Sequence, residues 1–302
     1  MMTNTNMKPI THLEHPEDLI LGGETWVLDA LSDCGGWVSQ KIDGAPAIVW
    51  GTDPNNGKFF VGTKSVFNKK KIKICYTELD ILTYYQGDKY MSLVYVLCQC
   101  LRYLPKTEGV YQGDFIGHGG SNIYKPNTLV YKFPQIVKED IIVAPHTYYE
   151  GNIFPEMVPY PLTDDLVSTK NCKFVQPIVD RVAVNIEPVF INKDEYSFLD
   201  KKQLAQAKQS INGLIREGVE LTDEVLFDVL GDNHLVNLFQ LVVDLKDQFM
   251  GNCITYCGPE AYLNWEPCDG EGYVYSSPLG SFKLVNRPQF AYANMTQGKF
   301  SK

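Results

Sequence analysis

The chain has 302 residues, 44% of them hydrophobic, enough to bury the core of one large domain or of two ordinary ones. A formal net charge of -9 excludes a protein that coats nucleic acid by electrostatics alone, while leaving room for a local basic groove. No window has the length and apolarity of a membrane span, residues 1–9 lack the apolar block of a secretory signal, and the eight scattered cysteines read as reduced thiols, so no membrane partner and a cytoplasmic location are expected.

In chain order, residues 16–31 carry Leu19, Ile20, Trp26, Val27 and Leu31 at helical spacing and end at Gly35-Gly36. The period then changes. Residues 37–43, 45–50 and 58–64 read as three consecutive strands, the first two joined at Asp43-Gly44 and the last two by a turn closing on Asn56-Gly57. Residues 77–85 and 88–104 read as helices covering this sheet, the second as a buried one, and 109–117 returns to strand. Short strands are expected at 129–133, 141–144 and 184–191. Three helices follow at 203–216, 223–230 and 234–250, with Thr222 and Asn233 as N-caps and Gly251 as a stop. Strand patterning resumes at 272–276 and 281–286. This predicts a single α+β domain over 1–302, mainly antiparallel sheet flanked by helices, with a helical insertion at 193–251.

The residues that carry chemistry stand at strand ends. Lys41, in Lys41-Ile-Asp43-Gly44, is an amine followed by a tight Asp-Gly segment, the arrangement that holds a lysine nucleophile against a phosphate. Thr63-Lys64-Ser65 offers a cation and two hydroxyls, and a basic run at Lys69, Lys70, Lys71 and Lys73 follows it. Asp114, after Gly113, is an acid within an apolar strand, where a carboxylate needs a metal, a cation or a sugar hydroxyl. Glu271-Gly272 repeats that theme, and Lys283 lies in the final strand. Each has a plainer reading. Lys41 is then an exposed lysine beside a turn shaped by Asp43, Asp114 and Glu271 are partners of structural cations, and the lysine run is a solvated loop. His118 and His146 receive no role, and Cys253, Cys257 and Cys268 lack the paired spacing of a zinc site.

Taken in order, these motifs resemble the covalent nucleotidyltransferases, the superfamily of polynucleotide ligases and mRNA capping enzymes, over residues 37–286. Lys41, Asp43 and Gly44 match its K-x-D-G motif; Thr63, Lys64 and Ser65 loosely match the next; Asp114 stands where the family usually has Glu; Glu271-Gly272 matches the fourth. The fifth motif, K-x-K, keeps only Lys283, since Ser281 and Val285 flank it.

The resemblance implies a ligase-type core without a C-terminal OB-fold, ATP and magnesium (with manganese as the alternative ion) as cofactors, and Lys41 as the residue that takes AMP. Asp43, Gly44, Lys64, Asp114, Glu271 and Lys283 would bind the nucleotide, and Asp114 and Glu271 the metal. A tyrosine such as Tyr148 or Tyr149 would hold the base. AMP would pass to a 5′-phosphate end, RNA favoured over DNA, before strand joining. A GTP-dependent capping-type guanylyltransferase and a degenerate nucleotide- or nucleic-acid-binding module are the alternatives.

Overall fold

A computed structural model describes residues 7–10, 12–32, 35–182 and 191–290. The chain gathers into two compact units, each assembled from separated stretches: the described parts of 1–11, 42–177 and 257–270 form the first, and those of 12–41, 178–256 and 271–302 the second. The expected single domain thus resolves into two units, and residues 193–251, expected as an insertion, belong to the second. The fold class is α+β.

The first unit is built on an antiparallel sheet in the order Phe59–Gly62, Ala47–Thr52, Val110–His118, Ile141–Glu150, Val158–Pro161, with Cys172–Phe174 added parallel to Ile141–Glu150. Its hairpin at 53–57 forms as the Asn-Gly signal predicts, with Gly57 at φ +69° and its N–H donating to the Asp53 carbonyl. On one face, helices Glu78–Tyr84 and Met91–Tyr103 bury Ile81, Val96, Leu97 and Cys100 against Ile48, Trp50, Val61 and Val143. The second helix is amphipathic, not wholly buried: Met91 and Tyr95 are exposed. On the other face Val49, Phe60, Val66 and Val110 pack with Phe154 and Met157. A smaller antiparallel sheet runs Glu266–Cys268, Glu260–Leu263, Val130–Lys132, Ile123–Tyr124.

The second unit holds a three-stranded antiparallel sheet, Trp37–Gln40, Tyr273–Ser276, Ser281–Leu284. Tyr273, Tyr275, Phe282 and Leu284 bury one face against Val27 and Leu31 and against Leu238, Val242, Leu245 and Phe249 of helix Asn233–Gly251. Helices Lys201–Arg216 and Asp223–Leu230 close a neighbouring core around Ile211, Leu226 and Phe239. A ribbon, Ile178–Arg181 with Cys253–Tyr256, completes the unit.

Three expectations change. The helix expected over 16–31 is two short ones, Pro16–Leu21 and Trp26–Ser32, because Gly22-Gly23 breaks it and Gly23 takes φ +86°. Helix Asn233–Gly251 starts one residue earlier than predicted, since the Asp232 carboxylate caps it, and it runs through Gly251 to a cap at Asn252. Most consequential, the consecutive strands expected at 37–43 and 45–50 are shorter and belong to different sheets: Trp37–Gln40 pairs with Tyr273–Ser276 in the second unit, Ala47–Thr52 with its neighbours in the first. The strand expected at 184–191 lies outside the described residues save Ile191.

Candidate active site

Strand alternation in the second unit explains what meets at Lys41. Phe282 and Leu284 point into the core, so Lys283 between them faces the opposite side, level with Val274 and, one strand on, Ser39. Lys41 is two residues beyond Ser39 and shares that face; its N–H extends the ladder by donating to the Gly272 carbonyl at 2.8 Å. Gly272 sits at φ +126°, and a Cβ there would lie 1.9 Å from the Leu284 carbonyl oxygen, so only glycine fits. The strand begins just past this glycine, at Tyr273, and the residue before it is Glu271, whose carboxylate accepts from the Lys41 ammonium at 2.7 Å with both side chains about four-fifths buried.

A cavity of about 230 Å³ opens beside this pair, lined by His15, Lys41, Asn212, Glu271, Lys283 and Arg287 and walled by Ile215, Val285 and Phe290. His15 arrives because the segment before the first helix runs alongside the last strand: Glu14 bridges Phe282 in parallel, and Lys283 N–H donates to the Glu14 carbonyl at 2.9 Å. Burial, then the positive charges of Arg287, Lys283, Lys246 and Lys208, push the His15 pKa far below its usual value, so the imidazole is neutral. Arg287 is held from behind: it donates to Asp18 at 2.9 Å, to Glu17 at 3.4 Å and to Asn212 at 3.0 Å, while Lys246 donates to Glu17 at 2.8 Å. Burial keeps the Asp18 carboxyl above the ordinary aspartate range, opposed by Arg287. For Lys283, burial first and the Lys41 ammonium second lower the pKa.

The remaining predicted residues lie in the first unit. Asp114 sits between two irregularities of strand Val110–His118, at Gln112/Gly113 and Phe115/Gly117, the local distortion by which a strand re-aims a side chain. Its carboxylate lies 3.5 Å from the Gly44 N–H and 3.9 Å from His146 Nε2. Gly44 packs so closely that a Cβ would meet the Phe115 carbonyl oxygen at 2.4 Å. Asp43 N–H donates to the hydroxyl of Tyr131, a buried aromatic that the sequence patterns do not single out. Lys64 is exposed; Thr63 and Ser65 share their hydroxyls with each other and with Tyr85, which ties the expected clamp into the fold. Tyr148 stacks on Tyr160, and Tyr149 on Phe67.

The sequence patterns therefore find three residues of the second unit's site, Lys41, Glu271 and Lys283, and miss His15, Asn212 and Arg287. A magnesium ion is held by one or two carboxylates together with substrate phosphates; Glu271 is the carboxylate that lines this cavity, paired there with Lys41, and Asp114 is an acid in its own unit. Among the described residues no group of three His, Cys, Asp or Glu side chains forms a protein-only metal cage. No described helix is long and apolar enough to cross a membrane.

The chain matches a family of unknown function, DUF6267, over residues 6–226 and 193–299. No curated protein and no solved structure matches it.

Proposed function

The chain belongs to the DUF6267 family, and we propose that it is a nucleotidyltransferase whose Lys41 amine takes up a nucleoside monophosphate, with ATP as donor. One observation carries this reading: an amine and a carboxylate 2.7 Å apart, set with a second lysine in one cavity. An ordinary lysine, with a pKa of about 10.4, is protonated at neutral pH and has no lone pair for attack. Glu271 is placed to accept that proton. Lys41 Nζ then attacks the α-phosphorus, forming the P–N bond as the P–O bond to the β-phosphate breaks; pyrophosphate leaves with the electron pair, and the nitrogen sheds its second proton to the departing pyrophosphate or to solvent.

Charge grows on the phosphate oxygens as this proceeds, and Lys283 supplies preorganised positive charge for them. Magnesium bound with the nucleotide neutralises phosphate charge further. The cavity is smaller than the roughly 300 Å³ at which pockets for whole drug-sized ligands begin, so it suits the phosphate end of the donor rather than the base. By resemblance alone, the reading extends to transfer of AMP to a 5′-phosphate end, RNA favoured, followed by strand joining.

Mass spectrometry of the intact protein after exposure to ATP or GTP with magnesium tests the first step. The expected result is a gain of one AMP in the wild type and none in Lys41→Ala. No adduct from either nucleotide, or one that persists in the variant, overturns the assignment; a GMP adduct alone redirects it to guanylyl transfer.

A further inference from the structure

Lys283 presents an electrostatic problem that the adduct-forming step does not by itself explain. Its side chain is more than half buried, and among the described residues its ammonium has neither a carboxylate partner nor a hydrogen-bond acceptor. Lys41 and Arg287 repel it, while Glu14 and Asp18 attract it without coming close enough for an ion pair. A buried charge in that state is costly, and selection tolerates it chiefly where a bound ligand supplies the missing counter-charge.

The rest of the same wall points the same way. Arg287 is only 6% exposed, spends its two terminal nitrogens on Glu17, Asp18 and Asn212, and keeps a buried Nε without a partner among the described residues. His15, neutral and mostly buried, likewise keeps Nδ1 without a hydrogen bond. Of the charged side chains that line the cavity, Lys41, Lys283 and Arg287 are basic and Glu271 is acidic, with Glu17 and Asp18 set behind Arg287. Glu271 is engaged by Lys41, Glu17 by Lys246, Asp18 by Arg287 and Glu14 by Lys208, which leaves Lys283 without an ion pair of its own among the described residues.

We infer that Lys283, Arg287 and His15 form a subsite for a compact polyanion, and that its occupant is the diphosphate expelled when Lys41 is nucleotidylated. This rests on the reading of Lys41 given above, and it adds Arg287 and His15 to the residues that touch the donor. Arg287, four residues past Lys283, supplies the second cation that the K-x-K pattern lacks at 281 and 285. A diphosphate spans more donors than a single tetrahedral anion, so the subsite discriminates by reach as well as by charge. It follows that pyrophosphate binds the free protein, opposes adduct formation, and drives the adduct back to nucleoside triphosphate.

Titration calorimetry with sodium pyrophosphate, sodium sulfate as control, and no nucleotide tests the subsite directly. Wild-type protein is expected to bind pyrophosphate at least tenfold more tightly than sulfate. Lys283→Met should lose at least tenfold in pyrophosphate affinity while its anion-free Tm rises by about 1–3 °C, because a buried charge without an ion pair has gone; Lys283→Arg should recover most of the affinity. A lysine serving only structure gives the opposite signature, a lower Tm with unchanged pyrophosphate binding, and that pattern overturns the inference, as does sulfate binding as tightly as pyrophosphate. The two readings fail separately. Pyrophosphate binding that depends on Lys283, with no adduct from any nucleotide, sinks the nucleotidyltransferase reading and leaves the polyanion subsite standing. Adduct formation with no Lys283-dependent pyrophosphate binding does the reverse.

Discussion

At the scale of single residues, the distance that matters is the 2.7 Å between Lys41 Nζ and the Glu271 carboxylate. A carboxylate so placed can do two things: hold the ammonium in position, or remove its proton. Glu271→Gln separates them, since the amide keeps the shape and an oxygen acceptor but cannot take a proton. If Glu271 is the proton acceptor, adduct formation should fall by about 10²–10⁴-fold, the usual worth of general-base catalysis, and recover as pH rises and solvent takes over the deprotonation. Single-turnover rates across pH measure this; an unchanged rate and profile assign Glu271 to positioning alone. Lys41, Glu271 and Lys283 were legible in the sequence because each sits in a short motif at a strand end, where apolar alternation stops and a charged residue stands out. His15 and Arg287 were not. His15 reaches the cavity through the parallel bridge between Glu14 and Phe282, a pairing with no local signature, and Arg287 lies just past the last strand, among residues with no period.

Among secondary-structure elements, the helices were more legible than the strands, and capping chemistry is the reason. Asp200 accepts from the N–H groups of Lys202 and Gln203 at 2.8 Å each, while the Gln203 side chain reaches back to the Asp200 N–H, closing a capping box. Helix Lys201–Arg216 thus begins at a polar cluster two residues before the periodic stretch that predicts it. Asp200→Ala should cost about 1 kcal/mol, with the loss read as a lower urea midpoint at unchanged slope. A change below about 0.3 kcal/mol would mean that packing of Leu204 and Ala207, not the cap, holds this end. Strands such as Ile123–Tyr124, Cys172–Phe174 and Glu266–Cys268 left little trace, because two or three residues show no alternation to detect. The partner of Trp37–Gln40 was not legible for a different reason: the strand is followed by an Asp-Gly step and a second apolar run, yet it finds its partner more than 230 residues later. Register between distant strands is a tertiary fact that local sequence does not encode.

For the molecule as a whole, the acidic balance of -9 conceals a positive interior at the candidate site, and acid pH should expose it. His15 is held neutral by burial and by Arg287, Lys283, Lys246 and Lys208, with Glu17 as the nearby acid. Its folded pKa lies below its unfolded value near 6.5, so below that pH the unfolded chain binds a proton that the native protein refuses. The stability that His15 contributes is therefore complete above pH 6.5 and lost as pH falls, with a slope of up to about 1.4 kcal/mol per pH unit for one proton. His118, also lowered by burial, adds to the same trend from the first unit. Asp18 opposes it at lower pH: its folded pKa is raised, so its contribution is present below the ordinary aspartate value and lost as pH rises through the raised one. Urea unfolding at pH 7.5, 6.5 and 5.5 should show falling stability in the wild type and a shallower fall in His15→Gln, the difference being the proton that His15 declines. Parallel lines for the two proteins would mean that His15 titrates in the folded chain as it does in the unfolded one, and that the ring of cations around it does not set the charge of this cavity.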